Sequence, residues 1–206
     1  NTHPEIIPDS PGAKSTKPDQ MKQVKILFAI VAGFLFPALS NASDSSEKIT
    51  EKRSSQPYHS IIVLGNAQIK LVQDEMPGLS LSGTKDQLMN MSTYLRNDTL
   101  YIIQTNNYDV NGKRTKISVN VDNLTLLDVK GNTLVEADGY INTDILSIKV
   151  DKGAVVSLDV RALKVKSEIL GCGSVRLSGT VGTFLSDCEG CGMIDLAEMR
   201  VLDRAI

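Results

Sequence analysis

The chain has no tryptophan, four phenylalanines and only two histidines, His3 and His59. So little histidine leaves no material for a His-rich metal site. A Ser-His-acid triad would have to be built on His59, beside Ser60 at the very start of the fold, where a surface histidine is the simpler reading. Proline is absent after Pro77, so no strand beyond that point is denied a backbone donor. Neither sign of charge is in excess, with 22 Lys and Arg against 24 Asp and Glu, and the electrostatic footprint of a nucleic-acid binder is missing. No G-x-S-x-G elbow, P-loop or dinucleotide fingerprint occurs. Cysteine is limited to Cys172, Cys188 and Cys191. The Cys188-Glu-Gly-Cys191 spacing lacks the surrounding βαβ pattern of a redox pair, and a zinc site needs four ligands.

Long apolar runs are also scarce; there is one. Met21-Lys-Gln-Val-Lys25 is a short cationic stretch, Ile26–Leu39 is apolar throughout, and Ser40-Asn41-Ala42 offers small residues before Ser43. This is the layout of a secretory signal peptide over residues 21–42. The run is too short for a membrane-spanning helix, which takes about 20 apolar residues, and it holds Gly33 and Pro37. Export to the periplasm or cell surface is therefore expected, with cleavage after Ala42. Residues 1–20 carry four of the seven prolines and no apolar periodicity, and read as a disordered or spurious extension ahead of the signal. Residues 43–57 are polar and charged, and are expected to form a disordered tether before a domain over residues 58–206.

From Tyr58 onward, alternation with a period of two dominates. Ile61–Leu64, Ala67–Val72, Leu79–Leu81, Leu100–Ile103 and Lys116–Val121 read as strands, separated by turns such as Gly65-Asn66, Pro77-Gly78, Asn97-Asp98 and Asn111-Gly112. Asp86–Met91 has room for one helical turn. Beyond Leu127 a repeat appears. Leu146, Ile148, Val150, Ala154, Val156 and Leu158 have small or apolar partners 19 residues later, and again 19 after that, at Phe184, Ser186, Cys188, Gly192, Ile194 and Leu196. Stepping back by 21 gives Leu127, Val129, Thr133, Val135 and Ala137. Gly131, Lys152, Gly171 and Gly190 align at one corner. Strand-based coils have repeats near this length, whereas helical solenoids run longer. The expected fold is all-β: a short right-handed parallel β-helix with coils of 19–21 residues, preceded by N-terminal strands.

The same register makes specific side-chain predictions. Glu136, Ser157, Arg176 and Asp195 should form one outward row, and Lys149, Glu168 and Asp187 another. Leu134, Val155, Ser174 and Met193 form an outward column that is mostly apolar, so Leu134, Val155 and Met193 are candidates for a surface contact. Asp138 and Asp159 align as a short acidic pair, the only start of the carboxylate row that a polysaccharide-cleaving β-helix enzyme would need. Cys188 takes the place of Ile169 and is expected inside the core. Cys172 and Cys191 fall 19 residues apart in matching Gly-Cys-Gly corners; stacked coils would bring them close enough for a disulfide, the alternative being a pair of free stacked thiols.

The stretch from His59 to Ile102 resembles the opening of the auto-transporter adhesin head GIN domain family. Ile62–Leu64, Gly65, Ile69–Leu71, Leu79–Gly83, Asp86–Leu88 and Asn97–Ile102 match its successive strand and turn motifs. Ile117–Leu124 with Gly131, and then Gly171–Leu177 and Gly190–Leu196, look like its later coil motifs. Two features depart from the pattern: Cys172 and Cys191 stand between the glycines, and Lys152 stands at a usual glycine position. The resemblance implies an exported, non-enzymatic envelope domain used for adhesion or for binding a surface polymer. It brings no catalytic residue, cofactor or metal with it. The partner would be an envelope or surface protein or glycan, or a second copy of the chain in a homo-oligomer. The alternatives are a carbohydrate-active β-helix enzyme and a self-assembling structural domain.

Overall fold

A computed structural model describes residues 47–105 and 113–203. The signal segment, residues 1–20 and the Asn111-Gly112 turn lie outside the described residues. The fold is all-β, with 71% of the described residues in strand, and its sheet curls into an open half-barrel.

Alternation builds the first two arms of the curled sheet. In β2 (Ser60–Leu64) Ile61 and Val63 point inward and are fully buried, and in β3 (Ala67–Gln73) so are Ala67, Ile69 and Leu71. The Gly65-Asn66 turn between them is a corner, so the two strands form two arms of the curled sheet. Further arms stack on each in parallel. β2 lies between β6 (Thr99–Gln104) and β8 (Leu126–Lys130), and β3 lies between β7 (Thr115–Val121) and the start of β9 (Leu134–Asp151). The first part of β9 pairs with β3 and its last part with β8, β10 (Val155–Leu170) pairs along β9, β11 (Ser174–Glu189) along β10, and β12 (Met193–Val201) pairs with the first part of β11, all in parallel.

The ladder runs as the 19-residue repeat implies. Val155–Leu158 lie opposite Ser174–Leu177, and Ser174–Arg176 lie opposite Met193–Asp195. Val156 and Val175 are fully buried, directly above one another. The corner residues Gly131, Lys152, Gly171 and Gly190 all have positive φ, at 91°, 57°, 80° and 104°. Lys152 therefore holds a left-handed conformation where the other coils use glycine, at a cost of about 1–2 kcal/mol. At Gly131 the constraint is also steric, because a Cβ would meet the carbonyl oxygen of Gly65 in the neighbouring coil.

Antiparallel strands close the N-terminal end. β4 (Gly78–Gly83) pairs with β7, β5 (Met91–Arg96) pairs with β6, and α1 (Lys85–Met89) tucks Leu88 under them behind a Thr84–Gln87 capping box. Residues 49–54, placed in the disordered tether by composition, instead form β1 (Ile49–Ser54) against β4. No side chain described in β1 is buried; the backbone ladder holds it, together with Arg53, which donates to Met91 O and Thr93 Oγ1 at 3.1 and 2.6 Å. A strand held by its backbone leaves no hydrophobic pattern to read.

Two other expectations are corrected. Cys188 pairs in register with Ile169 but is exposed, because among the described residues β12 pairs only with the first half of β11 and no further strand covers the end that holds Cys188. Phe184, Ile194 and Leu196 are only partly buried. Asp159 lies opposite Tyr140 rather than Asp138, since the spacing changes from 21 to 19 residues between Ser157 and Asp159, where the loop through Gly139 bulges.

Candidate functional site

That bulge shapes an open surface groove. The corner after Gly139 is tied to β3 by the Gln73 carboxamide. Its Nε2 donates to the carbonyl oxygens of Asp122 and Asn142 at 2.7 and 2.8 Å, and its Oε1 accepts from Asn142 N and Nδ2 at 2.8 and 2.9 Å. Thr143 Oγ1 donates to Asn123 Oδ1 at 2.7 Å. On the next coil Arg161 lies in register with Asn142, and its guanidinium sits 3.7 Å above the ring of Tyr140. Between these groups runs an open groove of about 620 Å³, lined by Asn123, Asn142, Thr143, Asp144, Arg161 and Leu163 among others. Amides, hydroxyls, one carboxylate and one guanidinium around an exposed leucine make a surface for a polar, extended ligand.

The residues singled out from sequence are scattered. Asp138 is paired with Lys70 at 2.6 Å, so no two-carboxylate site forms with Asp159. His59 bonds Asp98 through Nδ1 at 2.8 Å on an exposed turn; among the described residues no hydroxyl is hydrogen-bonded to its ring. No group of three or more metal-binding side chains occurs among the described residues. Leu134, Val155, Ser174 and Met193 stand in one register column; Leu134 is half-buried, whereas Val155 and Met193 are 38% and 57% exposed. Cys172 and Cys191 meet at the opposite corner with Cα atoms 4.6 Å apart and are joined as a disulfide.

Electrostatic perturbation does not mark a reactive centre. The Tyr58 phenol is pushed up by burial, and its hydroxyl donates to Asn120 O at 2.6 Å as a core tie. The Asp195 carboxyl is held below its usual range by the backbone N–H of Ala197 and by Arg176, whose Nε donates to it at 3.0 Å. Glu51 is lowered likewise by Arg53.

The family model described as "Putative auto-transporter adhesin, head GIN domain" matches residues 57–205. The chain belongs to the head GIN domain family. Solved structures share this fold at low identity. One, described as a "putative lipid binding protein" from Parabacteroides distasonis, has a TM-score of 0.56 at 16% identity, over 74% of each chain. A second protein of that organism, described as a "putative adhesin", has a TM-score of 0.56 at 14% identity, over 75% of this chain and 77% of its own. Among curated proteins none matches.

Sequence reasoning missed the groove. Asn142 and Arg161 lie just past the point where the spacing changes, on outward positions that the inward apolar repeat does not mark, and Gln73 precedes the repeat. The change of spacing from 21 to 19 was the available clue, since bulges often re-aim side chains at functional surfaces.

Proposed function

We propose that this head GIN domain is an exported, non-enzymatic component of the cell envelope that binds a surface partner, protein or glycan, through the outer face of its coils. The observation that carries this reading is the groove at the second corner: an open, polar, largely prebuilt surface on a stacked sheet. Export rests on the cationic, apolar and small-residue sequence of Met21–Ala42, with cleavage after Ala42. The adhesin description of the family agrees with a surface role. The enzyme alternative lacks support, because its best carboxylate is engaged by Lys70 and its second faces Tyr140. We further propose that the parallel coils from β8 to β12 wind as a right-handed β-helix, which their in-register parallel pairing and the usual hand of parallel crossovers favour.

Two experiments test this. N-terminal sequencing of the exported protein should begin at or near Ser43; an intact leader on a cytoplasmic product would refute export. A glycan-array and whole-cell screen with the purified protein should show saturable binding, and uniform absence of binding would refute the surface role.

A further inference from the structure

Resting on that binding role, we propose that the second-corner groove takes a carboxylate-bearing glycan, an oligouronate, with Arg161 receiving the carboxylate. Arg161 stands in register between Asn142 and Thr180. Its contact with the Tyr140 ring, 3.7 Å away, fixes the plane of the guanidinium. Among the described residues no hydrogen bond or ion pair engages its N–H groups, so the fork that matches a planar carboxylate is held in place and unused. Asp144 lines the same groove and is equally without a partner. Two opposite charges thus face one groove without pairing, and each remains available to a ligand that carries both an anion and hydroxyl donors.

The rest of the lining suits a sugar. Asn142 and Thr143 are fixed by Gln73 and Asn123, and the 68% exposed Leu163 offers an apolar surface to the C–H face of a ring. Asn142, Arg161 and Thr180 rise on successive coils, about 4.8 Å per step, so the groove follows the stack as a polymer would. An acidic peptide fits less well, because Asn142, Thr143 and the exposed Leu163 match the ring hydroxyls and C–H face of a sugar, which a run of acidic side chains lacks.

The test is calorimetric titration of the purified full chain with trigalacturonate, neutral maltotriose and triglutamate. Trigalacturonate should bind in preference to the other two, and more weakly as salt is raised. Arg161→Gln should weaken it by about tenfold or more, while Arg161→Lys recovers only part, since an ammonium keeps the charge and loses the fork. Tyr140→Leu should weaken it by a smaller factor. Circular dichroism of each variant should match the wild type. Equal affinity for maltotriose, or unchanged affinity in Arg161→Gln, would overturn the uronate assignment and leave polymer binding standing. Preference for triglutamate would overturn the glycan class. Binding to cells or to an array glycan with no binding of trigalacturonate would refute this inference alone; loss of all surface binding would refute the parent reading.

Discussion

Truncating Val175 to alanine should expose how the stack is held together. Val175 is fully buried between Val156, also fully buried, and the partly buried Ile194 of the last described coil. Losing two methyl groups forfeits about 1.6 kcal/mol of transfer free energy at about 0.8 per methylene. The cavity left behind raises the cost to about 2–3 kcal/mol, because the hydrogen-bonded ladders of β10, β11 and β12 keep the coils from sliding together to fill it. The neighbouring Arg176→Ala is the control. That side chain points outward and bonds Asp195 at 3.0 Å on the surface, so its loss should cost under about 1 kcal/mol. Urea melts of the three proteins, with similar m-values, measure the difference. A larger loss for Arg176→Ala than for Val175→Ala would mean that the inward and outward faces are wrongly assigned.

Gly179→Ala should destabilise far more than Gly139→Ala. Both glycines have positive φ, 101° and 88°, but an added Cβ at Gly179 meets the Val160 carbonyl oxygen, whereas at Gly139 it meets open space. Thermal melts should therefore show a cost near about 1–2 kcal/mol at Gly139 and a clearly larger one at Gly179. Reduction of the Cys172–Cys191 bond, which closes a 19-residue separation, should lower stability by up to about 3 kcal/mol and leave a Cys172/Cys191 double serine variant unaffected by reductant. A non-reduced digest yielding a Cys188–Cys191 peptide would refute the pairing. The lowered Asp195 carboxyl stabilises the fold fully above the ordinary carboxylate range, and this contribution fades as pH falls through its lowered value. Asp195→Asn should thus show a shallower loss of stability on acidification than the wild type, and an identical profile would contradict the assignment.

The repeat made the C-terminal coils legible because stacking imposes the same inward alternation on each: Val156 predicts Val175, and Lys149 predicts its 3.2 Å contact with Glu168 on the next coil. The all-β class and the short helix at Lys85–Met89 were legible from alternation and turn chemistry. What escaped depended on geometry with no periodic trace. β1 is held by backbone hydrogen bonds, Cys188 is exposed by its place at the end of β11 that β12 does not cover, and Asp159 is displaced from Asp138 by the bulge at Gly139. The groove escaped for the same reason: Gln73 and Asn142 are 69 residues apart and meet only through the fold.

The proposed role is binding without turnover. The most direct measurement is to incubate the purified protein with envelope polysaccharide, then follow both its retention on the polymer and the release of soluble sugar. The account predicts saturable retention with no release above the protein-free control. Release of sugar that disappears in Asp138→Asn or Asp159→Asn would contradict it and establish the enzyme.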